Sequence, residues 1–95
     1  MGPKKSPERL IENYLVKRVK ELGGMAIKLN PITLAGIPDR MVLLPGRILF
    51  VELKALGSKP RDIQEFRMGQ LKKLGYSCFC VDSKLGVDEL LKEAT

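Results

Sequence analysis

The stretch from Gly36 to Lys54 carries the strongest hydrophobic pattern in this chain. It indicates two apolar strands folded back on each other at Pro45-Gly46, a residue pair typical of tight turns. With the turn there, facing residues have numbers that sum to 91, which predicts that Asp39 lies directly opposite Glu52. Side chains at such facing positions stand about 5 Å apart at Cβ.

Alternate residues of a strand point to opposite faces of its sheet, so the hairpin presents two sets of side chains. Both sets are largely apolar, which predicts that helices cover the hairpin on both faces. One set comprises Met41, Leu43, Ile48 and Phe50 and shares its face with Glu52 and Lys54, and the other comprises Val42, Leu44, Leu49, Val51 and Leu53.

Helical periodicity and turn residues divide the rest of the chain into three helices and two strands. The order helix, strand, strand, strand, helix, strand, helix allows an antiparallel meander followed by a right-handed crossover to a parallel fourth strand. The sequence therefore predicts an α/β fold with an αβββαβ core, a mixed sheet flanked by helices, and a short C-terminal helix. The predicted elements outside the hairpin cover residues 7–22, 25–30, 60–75, 76–81 and 86–94.

Each predicted helix has apolar residues at helical spacing, which predicts the side that it buries. Gly69 lies in the middle of the second helix, where glycine costs about 1 kcal/mol relative to alanine, and it marks either close packing or simple tolerance. The predicted buried positions are Leu10, Ile11, Tyr14, Leu15, Val19 and Leu22 in the first helix, Ile63, Phe66, Leu71 and Leu74 in the second, and Val87, Leu90 and Leu91 in the third.

Composition limits the classes of function. The 95 residues suit one domain, with its core over about 6–82, and the net charge of +6 favours a polyanionic partner. The absence of histidine excludes histidine metal ligands and histidine general bases. No stretch approaches a membrane span and no signal peptide is visible, so we expect a cytoplasmic protein. Cys78 and Cys80 are expected to be buried core thiols in a reducing compartment.

The predicted pairing of Asp39 with Glu52 creates an electrostatic problem, since facing carboxylates repel each other. Lys54, two residues beyond Glu52 and on the same face, is one positive group that could offset the repulsion. A divalent cation is the other, and an all-oxygen ligand set suits Mg²⁺ or Mn²⁺. The backbone carbonyl of Leu53 is a further candidate ligand. The alternative is a plain salt-bridge trio at the end of a strand.

Basic residues lie on both sides of this acidic pair. The loop 57–59 and Arg61 make the densest basic patch near it, and Lys28 lies in the alternating strand before the hairpin, on the side opposite Met25, Ile27 and Leu29. Such a patch is usually just a solvated loop, but beside two carboxylates it favours contacts with phosphate groups. We therefore assign Lys28, Lys59, Arg61 and Arg40 as candidate phosphate-binding residues.

Three segments followed by Gln64 resemble the virus-type replication-repair nuclease (VRR-NUC) family of the PD-(D/E)XK nuclease superfamily. They are Glu-Asn-Tyr-Leu-Val-Lys-Arg-Val-Lys-Glu-Leu-Gly-Gly at 12–24, Ala-Gly-Ile-Pro-Asp-Arg at 35–40 and Phe-Val-Glu-Leu-Lys at 50–54. The resemblance spans about residues 8–82. It implies hydrolysis of DNA phosphodiester bonds with Mg²⁺ or Mn²⁺ and the same αβββαβ core.

The resemblance also assigns roles to individual residues. Asp39 and Glu52 match the metal-binding carboxylates, and Lys54 matches the motif lysine. Glu12 matches the helical glutamate that completes such sites, directly or through a water, whereas composition alone makes it a solvated helix residue. Gln64 matches the glutamine of the next helix, although glutamine at that position is most often an ordinary surface residue.

The expected function is a structure-selective endonuclease that acts on branched DNA such as junctions and flaps. Phosphate contacts carry little sequence information, and the short predicted loops leave little room to read bases. We expect a stand-alone nuclease domain of the kind found in phages and bacteria. Because a domain this small needs help to span a branched DNA, we also expect a homodimer with two-fold symmetry. The alternatives are a basic DNA-binding module without activity and a Holliday-junction resolvase of the archaeal type.

Overall fold

A computed structural model describes residues 6–95; the first five residues of the predicted domain lie outside the described part. Three helices and four strands follow the predicted order. They are α1 (Pro7–Glu21), β1 (Met25–Lys28), β2 (Arg40–Leu44), β3 (Arg47–Leu53), α2 (Asp62–Lys73), β4 (Ser77–Val81) and α3 (Lys84–Ala94). No helix in the described residues is both long and apolar enough to cross a membrane.

The four strands form one mixed sheet in the order β1-β2-β3-β4. The first three strands pair antiparallel, and β4 pairs parallel to β3 after the chain has passed through α2. This arrangement confirms the predicted α/β fold, since only the connection through a helix lets the fourth strand return in the direction of the third.

The predicted register of the hairpin is confirmed. Leu44 pairs with Arg47 and Arg40 pairs with Val51, so the facing numbers sum to 91 along the whole ladder. Gly46 has a φ of +72°, which is the conformation that the second central residue of a Pro-Gly turn requires. The turn therefore sets the register, and the register decides what lies opposite Glu52.

The two faces of the sheet are covered unequally. Packing of α1 and α3 on one face buries a continuous apolar core, whereas α2 lies on the other face over a smaller cluster of Phe50, Met68 and Cys78. The core on the first face consists of Ile11, Leu15, Val19, Val42, Leu44, Leu49, Val51, Leu53, Val81, Val87, Leu90 and Leu91.

Most of the predicted buried side of α2 was wrong, and only Leu71 packs half-buried against the cluster below the helix. Ile63, Phe66 and Leu74 are exposed, and the buried residues of this helix are Gln64 and Met68. The helix is turned so that Gln64 reaches a charged group on the sheet, a contact that helical periodicity does not reveal.

Two other burial predictions were also wrong. Leu10 is exposed in the first turns of α1, before the helix reaches the sheet. Cys78 is buried as expected, but Cys80 is exposed, because it lies further along the edge strand β4, past the cover that α2 provides.

Candidate active site

Asp39 and Glu52 are joined at the open end of the hairpin. The Asp39 backbone N–H donates to Glu52 Oε1 at 3.2 Å, and the Leu53 backbone N–H donates to Asp39 Oδ2 at 2.9 Å. Asp39 directly precedes β2, so these two bonds continue the ladder by one position with side chains in place of backbone acceptors. The pair that the register predicts is therefore formed.

Glu52 is a carboxylate that is almost completely buried at this end of the sheet. Its side chain is only 2% exposed, and burial, followed by the nearby charge of Asp39, raises the pKa of Glu52 from its ordinary value of 4.5 to about 7. Lys54 Nζ lies 3.2 Å from Glu52 Oε2 and opposes this rise. Lys54 thus offsets only part of what burial and the charge of Asp39 do to the pKa of Glu52.

Gln64 binds Glu52 from the first turn of α2. Its Nε2 donates to Glu52 Oε2 at 2.8 Å, and its Oε1 accepts from the backbone N–H of Arg61 at 2.8 Å. The side chain is buried, and both ends of its amide are used. Gln64 therefore fixes the start of α2 to the carboxylate.

Glu12 and Arg40 form an ion pair beside the site. Arg40 Nε donates to Glu12 Oε2 at 2.9 Å, and Arg40 Nη1 donates to the Ala26 carbonyl at 3.0 Å. Both side chains are largely buried. Sequence reasoning named each residue but missed this pair, because the two are 28 positions apart and nothing local links them. The pair ties α1 to the β1–β2 edge.

The oxygens that a cation could use at this end of the sheet are those of the Asp39–Glu52 pair. Within residues 6–95 no three Asp, Glu, Cys or His side chains are grouped closely enough to hold a metal. The Leu53 carbonyl would be a third oxygen, since N–H and C=O of one strand residue point to the same side, and the Leu53 N–H points at Asp39. These hard oxygens and the excess negative charge fit Mg²⁺ or Mn²⁺.

The basic candidates Lys28, Lys59 and Arg61 are all exposed, on the elements that flank the acidic pair. The loop carrying Lys59 is fixed by Asp82, whose Oδ2 accepts the Gly57 backbone N–H at 3.0 Å. Sequence reasoning passed over Asp82, although its position directly after a strand was a usable signal.

Comparison with known proteins agrees with the fold. A computed scan against family models gives no match. The chain is 42% identical over 78 residues to "Putative nuclease p44" of Acyrthosiphon pisum secondary endosymbiont phage 1, covering 81% of this chain and 84% of that protein. A solved structure named "VRR_NUC domain" superposes with a TM-score of 0.88 at 33% identity, covering 96% of this chain and all of that one.

The four-stranded mixed sheet with helices on both faces is a restriction-endonuclease-like α/β fold, and it holds paired carboxylates at the end of its central hairpin. The chain belongs to the VRR-NUC family of nucleases.

Proposed function

We propose that this nuclease is a metal-dependent endonuclease that cuts branched DNA, with Asp39, Glu52 and the Leu53 carbonyl as the ligands of Mg²⁺ or Mn²⁺. The observation that carries the proposal is the buried Glu52 carboxylate beside Asp39, with a pKa raised to about 7. A bound divalent cation would supply a Lewis acid for the phosphate and for an attacking water.

The chain's own residues hold and orient the reacting groups. Lys54 Nζ, 3.2 Å from Glu52 and largely buried, is placed to donate to a phosphate oxygen on which negative charge increases during the reaction. Gln64 keeps the Glu52 carboxylate in one orientation and so acts as a positioning residue. In this proposal Glu12 is not a direct ligand of the metal ion, because its carboxylate is already paired with Arg40.

The selectivity for branched DNA rests on the kind of contact that the surface offers. Lys28, Lys59 and Arg61 are exposed around the site and suit phosphate groups, which position DNA without identifying bases. We expect the affinity to fall steeply with added salt, as it does for contacts made mainly to phosphates.

The decisive experiment is Glu52→Gln, which keeps the shape of the side chain and removes its charge. Cleavage of a panel of flaps, four-way junctions and linear duplexes in Mg²⁺ should fall at least about 100-fold, since one electrostatic contact at a reacting centre is worth about that much. The matched control is Glu89→Gln on the exposed surface of α3, which should cleave like the wild type. Undiminished cleavage by the Glu52 variant would refute the assignment.

Metal binding is measured separately by calorimetric titration with Mn²⁺. The wild type and Glu89→Gln should bind, and Asp39→Asn should not. Comparing four-way junctions with flaps in the same panel separates a general branch nuclease from a Holliday-junction resolvase.

The two cuts that a four-way junction needs favour a homodimer. The exposed apolar residues Phe66 of α2 and Leu74 just after it offer a surface for it, because an antiparallel pair of these helices would place the acidic start of one against the basic end of the other. Sedimentation should give a dimer at micromolar concentration, and Phe66→Ser should shift it towards a monomer. A monomeric wild type would overturn the homodimer.

A further inference from the structure

Two large apolar side chains stand in solvent beside the active site. Ile32, in the loop between β1 and β2, is 91% exposed, and Leu56, in the loop between β3 and α2, is 78% exposed. Single exposed apolar residues are ordinary on a protein surface. These two are notable for their position, since one lies in each of the two loops that leave the sheet at Asp39 and Lys54.

The loop that carries Ile32 is fixed to the body of the protein. The Ile32 backbone N–H donates to Asn30 Oδ1 at 2.9 Å, and the Ala35 carbonyl accepts from Arg67 Nε of α2 at 2.9 Å. Gly36 has a φ of +78° and lies so close to the Ile63 carbonyl that any side chain would collide with it. Ile32 is therefore presented by an ordered loop.

The loop that carries Leu56 is held in the same way. The Ser58 backbone N–H donates to the Ala55 carbonyl at 2.9 Å, which closes a turn around Leu56. The next residue, Gly57, has a φ of +80° and donates its N–H to Asp82 Oδ2 at 3.0 Å. Leu56 thus projects from the top of a closed turn.

Both side chains lie within reach of a DNA strand bound at the carboxylates. The Leu29 N–H donates to the Asp39 carbonyl at 2.9 Å. Ile32 is three residues after Leu29, so its Cα lies at most about 11 Å from the Cα of Leu29. Leu56 is two residues from Lys54, which is at most about 7 Å. DNA bound over the site would therefore meet both loops.

We propose that Ile32 and Leu56 are wedges that contact the faces of unstacked bases on either side of the phosphate to be cut. Apolar side chains of this kind insert at base steps and separate them, at a cost of a few kcal/mol for a stacked step. At a junction or flap the bases are already partly unstacked, so the wedges favour branched DNA over a continuous duplex. This inference rests on the proposed function and gives it a physical basis for substrate choice.

The test uses Ile32→Ser, Leu56→Ser and the double variant, with Met25→Ser as the matched control. Met25 is 61% exposed and pairs with Leu43, at the end of β1 that lies away from Asp39. A flap carrying 2-aminopurine at the branch reports unstacking by its fluorescence, and in EDTA this measurement needs no cleavage. The wild type and Met25→Ser should raise the fluorescence, and the double variant should lose most of that rise.

Cleavage supplies a second reading. The ratio of flap to linear-duplex cleavage should fall about tenfold in the double variant and remain unchanged in Met25→Ser. Equal fluorescence and equal cleavage ratios in the double variant and the wild type would overturn the proposal that Ile32 and Leu56 act as wedges. That result differs from failure of the endonuclease itself, in which the wild type would cut none of the substrates.

Discussion

The two faces of the sheet bury different kinds of residue. On the face covered by α1 and α3, Val42, Leu49 and Val51 are fully buried in a continuous apolar core. On the face covered by α2, a small cluster around Phe50 and Met68 gives way to charged groups towards the end of the strands. Burying a carboxylate and a lysine opposes folding, and the thick core on the other face supplies the stability that offsets it.

The largest stability effect should come from the first face. Leu49→Ala removes a fully buried side chain and should lower the free energy of unfolding by about 2–5 kcal/mol. The neighbouring Ile48 points to the other face and is 42% exposed, so Ile48→Ala should lower it by about 1 kcal/mol. Urea unfolding of both variants measures the difference, and equal losses would contradict the division between the faces.

The second predicted effect is a gain in the free energy of unfolding, and its size depends on pH. The folded-state pKa of Glu52, about 7, lies above its ordinary 4.5, so the folded protein holds this proton more tightly than the unfolded chain. The metal-free wild type should therefore lose stability as pH rises from about 4.5 to 7. Glu52→Gln should be more stable than the wild type by about 3 kcal/mol at pH 8, and the gap should close towards pH 4.5.

Thermal unfolding in EDTA across this pH range measures the gap. Glu89→Gln, at an exposed position, serves as the control and should follow the wild type at every pH. Saturating Mg²⁺ should stabilise the wild type and not Glu52→Gln. A variant that is less stable than the wild type at pH 8 would show that burial of Glu52 does not oppose folding.

A third effect concerns the Glu12–Arg40 ion pair, which ties α1 to β2. A double-mutant cycle with Glu12→Gln and Arg40→Gln should give a coupling energy of about 1–2 kcal/mol, because both side chains are largely buried. The comparison pair is Arg18 with Glu21, at 3.0 Å and more exposed, which should give less than about 0.5 kcal/mol. Coupling that is no larger for the first pair would leave Arg40 free to contact DNA.

The smallest effect should be a gain. Nothing lies within 4 Å of a side-chain carbon built at Gly69, so Gly69→Ala should raise the free energy of unfolding by about 0.5–1 kcal/mol. Gly46→Ala is the control, because its φ of +72° disfavours any side chain and the change should destabilise the protein. Chemical denaturation of both variants would decide between close packing and tolerance at Gly69.

The sequence predicted well wherever the determining residues are neighbours in the chain. Pro45-Gly46 set the hairpin register, and the register brought Asp39 to Glu52 without knowledge of any other contact. It predicted poorly where a polar contact from a distant element decided orientation. Gln64 is buried because Glu52 accepts its N–H, so α2 exposes Phe66 although periodicity favours burying it.

The position of Glu52 on β3 has a consequence for how the site can open. This strand is bonded to β2 on one side and to β4 on the other, and amides in such a central strand exchange with solvent only when most of a domain unfolds. The backbone that carries Glu52 therefore opens only as rarely as most of the domain unfolds. Room for a substrate must come from the loops between the strands, whose amides should exchange many times faster.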